Sequence, residues 1–247
     1  DRWGAICLGS GKQPSLALMK QPRLARLDEL LTEIELLQRF EPAANALLRK
    51  QLLERQSVGG ARPKVTLREG DSHWIAKPLE RDDVRDVPAL EHATLQLAAR
   101  LGLNVVLSRL QRTAAGRSVL LVRRFDRDGE QRYLTVSGAT LLELEYPGRE
   151  TGCYVGLVNA LRRIGCPRED WQELWRRLVF NVLVGNDDDH PRNHAALYSA
   201  AERRWRLAPA FDLVPNGSER PRLQAMRVDG LSREGGREVL LAAAPQF

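Results

Sequence analysis

The densest run of polar chemistry in the 247-residue sequence is Asn186-Asp187-Asp188-Asp189-His190-Pro191-Arg192-Asn193-His194. It follows the apolar stretch Trp171–Val184, which predicts a loop at the end of a helix. So many metal-binding groups in one short segment repel each other unless a cation or a substrate offsets the charge. Their hard oxygen donors suit magnesium better than zinc. His190 and His194 stand four apart and would share a helix face, but Pro191 argues against a continuous helix. A solvated turn is the alternative, because Asn and Asp dominate turns.

A second acidic position, Asp212, sits between apolar residues in Ala208-Pro209-Ala210-Phe211-Asp212-Leu213, where a carboxylate needs a cap, a partner or a metal. Two short strands are expected between the sites, Ala195–Tyr198 and Trp205–Ala208. A hairpin there could return Asp212 beside Asp188. Phosphoryl transfer uses that arrangement, with one Asp orienting the nucleophile and an Asn plus a second Asp holding magnesium. Upstream, Gly59 and Gly60 in Ser57-Val58-Gly59-Gly60-Ala61-Arg62-Pro63-Lys64 would let backbone N–H groups approach phosphates, and Lys64 adds a point charge. The segment is not a Walker A loop, and a surface turn is its other reading. Lys77 falls mid-strand in Trp74-Ile75-Ala76-Lys77-Pro78, and Glu91 on the following helix is a candidate ion-pair partner.

The elements that must position these residues follow from periodicity. Leucines at helical spacing predict a helix over 24–39, and Pro42 is expected to open a second one through Glu54. A hairpin is expected from Val65–Leu67 and Trp74–Lys77 around Glu69-Gly70-Asp71, then a helix over 88–101. Strands near 104–110 and 118–124 come next, then helices from 151 to Ile164 and on through Val184. The last apolar stretch ends near Ala244. Strands first and helices later predict an α+β chain of two lobes. The expected division is 1–8 as the last strand of a preceding small domain, 9–125 as the first lobe and 126–247 as the second.

Composition excludes collagen, disorder and a disulfide-stapled miniprotein. No apolar run reaches the roughly 18–20 residues of a membrane helix, so no membrane association is expected. Three widely spaced cysteines read as reduced thiols of a cytoplasmic protein. The net charge of +6 comes almost wholly from arginine, with five lysines against 33 arginines. Each retained lysine therefore draws notice, because arginine cannot replace a compact ammonium everywhere. Basic charge permits contact with nucleic acid without demanding it. Pairs such as Arg162-Arg163 and Arg203-Arg204 read more readily as solvated faces.

Taken in order along the chain, these motifs resemble the HipA-like serine/threonine protein kinases, toxin components of bacterial type II toxin–antitoxin modules. The resemblance rests on Ser57–Lys64, Lys77-Pro78, Leu95–Asn104, Val122–Arg127, Asn186–Asn193 as NxDxHxxN, and Leu207–Leu213 as LAPAFDL. It implies a bilobal kinase-like fold, with a smaller strand-rich N-lobe and a mostly helical C-lobe. It also implies use of ATP and Mg2+ to phosphorylate a translation component such as an aminoacyl-tRNA synthetase, autophosphorylation, and a DNA-binding antitoxin as partner. By motif position Asp188 is the catalytic aspartate, with His190 beside it, and Asn193 and Asp212 hold the metal. Gly59, Gly60, Ala61, Lys64 and Lys77 would contact ATP phosphates, Glu91 would support Lys77, and Arg123–Phe125 would form the hinge beside adenine. Ser57 falls where family members carry a regulatory phosphorylation site. The triple acid makes the identity of the base depend on register, and spacing to His190 and Asn193 favours Asp188. Two other functions fit the same residues: a small-molecule or lipid phosphotransferase, and a catalytically silent module that binds an antitoxin–DNA complex.

Overall fold

The computed structural model describes residues 4–5, 22–53, 62–114, 116–145, 152–217 and 223–247. The chain divides into two compact units, one formed by Asp1–His92 with Leu107–Arg132, the other by Ala93–Val106 with Tyr133–Phe247. The division expected after residue 125 thus lies after Arg132, and Ala93–Val106 belongs to the second unit. A small hairpin accounts for the later boundary. Strands β5 (Arg127–Asp128) and β6 (Gln131–Arg132) pair with each other. Their turn is tied back by Gly129 N–H to Asp71 O (3.0 Å) and by His73 Nε2 to Gly129 O (2.7 Å). The strand expected at residues 1–8 lies outside the described residues, apart from Gly4 and Ala5.

The first unit is built on an antiparallel sheet in the order β1-β2-β4-β3, from β1 (Val65–Glu69), β2 (Ser72–Pro78), β3 (Ser108–Arg112) and β4 (Ser118–Arg123). Gly70 turns the first hairpin with φ +58°, a conformation that costs glycine no Cβ clash. Helix α1 (Leu27–Gln38) buries Leu27, Leu30, Leu31 and Ile34 against Val65, Leu67, Trp74, Ala76, Val119 and Leu121 of the sheet. Helix α2 (Ala46–Leu53) begins at Ala46, not at Pro42. The Asn45 side chain caps it by accepting the Leu48 N–H at 3.1 Å, while the Asn45 N–H donates to buried Glu33. Helix α3 (Val87–Arg100) ends before Gly102, which takes φ +75°.

The second unit packs helices around one apolar core. Helix α5 (Tyr154–Arg163) supplies Tyr154, Leu157, Val158 and Leu161, and α6 (Arg168–Val184) supplies Leu174 and Leu178. A three-stranded sheet, β7 (Thr135–Ser137), β8 (Ala195–Ser199) and β9 (Arg204–Leu207), contributes Ala196 and Leu207, and α7 (Arg237–Ala243) closes with Leu240. Short helix α4 (Gly138–Leu141) follows β7 directly. The strand expected over 104–110 starts only at Ser108. Residues 104–106 instead bridge Ala210, through Ala210 N–H to Asn104 O (2.8 Å) and Val106 N–H to Ala210 O (3.0 Å).

Candidate active site

In the first unit, Lys77 lies within β2, paired in register with Leu120 of β4. Its Nζ donates to both oxygens of Glu91, at 2.8 and 3.0 Å. Glu91 is only 3% exposed, so the pair holds an ammonium at a fixed point on the sheet. A sequence of short strand followed by helix with a single acid on its inner face is what makes this pair recognisable beforehand. Lys64 is partly buried, and Arg62 is engaged by Glu80 at 2.9 Å and by Asp83. Ser57, Gly59, Gly60 and Ala61 lie outside the described residues.

Arg123 and Phe125 flank a feature that periodicity gave no sign of. Between them, Arg124 is buried and grips buried Asp126 with two bonds, Nε to Oδ1 at 2.9 Å and Nη2 to Oδ2 at 2.7 Å. The Gly4 N–H adds a third donor to Asp126 at 2.7 Å. Arg123 itself is half-buried, with Nη2 3.8 Å from Asp128.

In the second unit, α6 ends at Gly185, whose φ of +74° releases the chain into the acidic loop. The three consecutive aspartates there enter three different environments. Asp187 accepts the Asn216 side-chain amide on both oxygens, each at 2.9 Å. Asp189 is 1% exposed, and its Oδ2 accepts from Asn181 Nδ2 at 2.7 Å, His194 Nε2 at 3.0 Å and the Tyr154 hydroxyl. Asp188 alone is exposed. Its backbone carbonyl receives the His190 N–H at 2.8 Å and Asn193 Nδ2 at 3.3 Å. Residues Pro191–Asn193 form one turn of 3-10 helix, so His190 and His194 do not share a helix face.

Charge and burial act against each other at this loop. Burial pushes the Asp189 carboxyl up, but the nearby His194 and the hydrogen bonds from His194 and Tyr154 outweigh it, and the group sits below its ordinary range. Burial first, then the Asp189 charge, push the Tyr154 hydroxyl well above its ordinary range. Asp189 is thus an anion held by donors, not a group poised for proton exchange.

The β8–β9 hairpin returns the chain, with Ala196 opposite Leu207 and the Ala208 N–H on Ala195 O at 2.8 Å. Asn193 stands two residues before this closure and Asp212 four residues after it. Helix α6 anchors the returning strand: Asp170 accepts the Leu207 N–H at 2.8 Å, and buried Arg177 donates to Ala208 O at 2.9 Å and Asn104 O at 3.0 Å. Asp212 takes φ +62°, the left-handed region that a non-glycine residue occupies only when its surroundings impose it. Behind the loop, the Gly138 N–H donates to His194 O at 2.7 Å. A Cβ on Gly138 would lie 2.5 Å from Pro191 O, and one on Gly152 would lie 2.8 Å from Pro191 Cγ. At both positions the lack of a side chain lets the backbone approach Pro191 closely, a role that neither glycine shows in the sequence.

Among the described residues, no three His, Cys, Asp or Glu side chains gather as a metal-holding group. The two residues expected to hold a hard cation, Asn193 and Asp212, stand on either side of the β8–β9 hairpin. Because Asn193 directs its NH2 at Asp188 O, its amide oxygen is the end left to accept, which fits magnesium chemistry. His194 Nε2 is committed to Asp189 and does not form half of a zinc pair. Cys153 and Cys166 are free thiols, and burial followed by the Asp170 charge pushes Cys166 up to about 12. Among the described residues no helix is long and apolar enough to cross a membrane.

Comparison with known proteins identifies the fold and the family. A curated Haemophilus influenzae protein named "Putative kinase" is 26% identical over 189 residues, covering 68% of this chain and 54% of that protein. A similarly named Sinorhizobium fredii protein is 28% identical over 183 residues, covering 65% and 42%. The chain spans about half the length of these relatives. Among solved structures, HipA from the Shewanella oneidensis MR-1 complex of HipA, HipB and operator DNA superposes with a TM-score of 0.61 at 18% identity, covering 94% of this chain and 75% of that one. The Helicobacter pylori proinflammatory kinase CtkA gives 0.51 at 22% identity, covering 64% and 56%. The fold is accordingly kinase-like, of the HipA type. Residues 56–244 match the HipA-like C-terminal domain, and the chain belongs to that family.

Proposed function

We propose that this chain is the kinase part of a HipA-like protein, an ATP- and Mg2+-dependent enzyme that phosphorylates serine or threonine of a protein. The observation that carries the reading is the sorting of Asp187, Asp188 and Asp189. Two are bound into the structure and the third faces solvent, five residues before Asn193. Asp188 is then the residue that accepts the acceptor hydroxyl proton and orients its oxygen, with His190 in the same turn. Asn193 and Asp212 would hold magnesium, which when bound neutralises phosphate charge. Lys77, fixed by Glu91, sets a cation against the ATP phosphates, together with Lys64 and the N–H groups of Gly59, Gly60 and Ala61. Arg123–Phe125 lines the adenine.

Following the family resemblance, the acceptor is a translation component such as an aminoacyl-tRNA synthetase, and the partner is a DNA-binding antitoxin. Ser57 is a site of autophosphorylation. A phosphate there adds about −1.5 to −2 charges at the mouth of an anion site, so it competes with ATP for the same donors. Nucleotide affinity measured on phosphorylated and unphosphorylated protein tests this point: weaker binding after modification is expected, and equal affinity contradicts it. Incubation with labelled ATP, Mg2+ and cell lysate tests the activity itself. Label on protein is expected; label only on small molecules or lipid would replace this reading with a different phosphotransferase, and no label would remove it.

A further inference from the structure

We propose that Asp189 is a positioning residue that holds Asp188 toward the acceptor; the proposal rests on the reading of Asp188 as the catalytic base. Burying a carboxylate is unfavourable unless donors replace its water, and here all three donors converge on one oxygen. They come from three separate elements: Tyr154 opens α5, Asn181 lies in the last turn of α6, and His194 leads into β8. One oxygen atom thus pins the loop to both helices and to the sheet. Asn181 extends the grip, accepting Asn186 Nδ2 on Oδ1 at 3.0 Å and the Asn186 N–H on its backbone oxygen at 2.8 Å.

The consequence for Asp188 is directional. Residues 186–190 lie outside helix and strand, and the His190 N–H to Asp188 O bond bends the chain at Asp189, with Asp188 exposed and Asp189 buried. With Asp189 drawn into the core, Asp188 is sent outward, and its carbonyl is fastened by Asn193 and His190. Stability alone does not call for an anion here, since buried ionic networks can often be replaced by apolar residues without loss. Fixing a reacting group does, because a displacement of about 1 Å can cost on the order of 10²-fold in rate.

Tyr154→Phe tests this with the smallest change. It removes one donor and keeps the ring that packs edge-on against His194 at 5.8 Å. Two measurements are made on wild type and variant: amide exchange along Asn186–His190 and along α6, and steady-state phosphoryl transfer. The expected result is faster exchange in the loop with α6 unchanged, and kcat lowered about tenfold or more with KM for ATP within about twofold. An Asp189→Asn variant keeps the shape and one accepting oxygen for the three donors, so it is expected to lie between wild type and Tyr154→Phe. Any other combination overturns the proposal: unchanged loop exchange, α6 loosening together with the loop, or unchanged kcat. If wild type transfers no phosphate, the kinase reading fails by itself. Exchange then decides alone, with acceleration confined to the loop supporting Asp189 as its anchor and no acceleration removing that role.

Discussion

At the level of single residues, the three aspartates make separable predictions. Asp188→Asn and Asp212→Asn should each lower phosphoryl transfer by on the order of 10²–10³ or more, with melting behaviour close to wild type. On the proposed roles both substitutions remove a charge that serves chemistry, and neither residue is among the buried core. If Asp187→Asn abolished transfer and Asp188→Asn did not, the base would be one residue upstream. Lys77→Ala should weaken ATP use, and Lys77→Arg should restore it only partly. A planar guanidinium cannot make the two Glu91 contacts from the same point as Nζ. Full activity with arginine would reduce Lys77 to a generic cation. Lys77 and Glu91 were legible in the sequence because each sits on an element with a clear period. Asp189 was visible only as one of three acids. Its partners Tyr154, Asn181 and His194 lie on separate elements, so no local spacing announces them.

Secondary-structure elements explain why the loop has the shape it has. Gly138 and Gly152 back Pro191, and Arg177 and Asp170 fix the end of β9. Gly138→Ala should force Pro191 O or the glycine backbone to move, at a cost of about 1–3 kcal/mol and with a fall in transfer rate larger than the stability loss alone explains. Chemical denaturation alongside kinetics checks this, and an unperturbed variant would mean that the loop can give way freely. At α2, Asn45→Ala should cost about 0.5–2 kcal/mol, because the cap on the Leu48 N–H is lost. Proline at position 42 suggested an earlier start, but the capping geometry of Asn45 decides where the first turn closes. The long helices and the main sheet followed from periodicity. Strands β5, β6 and β7 and helix α4 span only two to four residues each, too short to show any period.

For the whole chain, the pH dependence of stability follows from the shifted groups. Asp189 is depressed below its ordinary 3.8, so its contribution is complete above that pH and is lost as pH falls through the lower folded value. Cys166 is raised from 9.0 to about 12, so its contribution is complete below pH 9 and is lost as pH rises toward 12. Tyr154, raised well above 10.0, acts in the same alkaline direction. Denaturation midpoints across pH 3–12 should show both limbs, and Cys166→Ala should flatten the alkaline one; an unchanged alkaline limb would contradict the assignment. The division into units was legible in outline, from strands giving way to helices. Its boundary was not, because the Arg127–Arg132 hairpin is held by contacts from Asp71 and His73 that lie more than fifty residues away in sequence. On the proposed reading, phosphate passes from ATP to a protein hydroxyl with Asp188 as the base. The most direct measurement is transfer of labelled phosphate from ATP to protein, with Mg2+ and with EDTA, by wild type and by Asp188→Asn. Labelled protein is expected with wild type and Mg2+ only; labelling by Asp188→Asn at the wild-type rate would remove Asp188 as the base, and no labelling by wild type would remove the kinase activity.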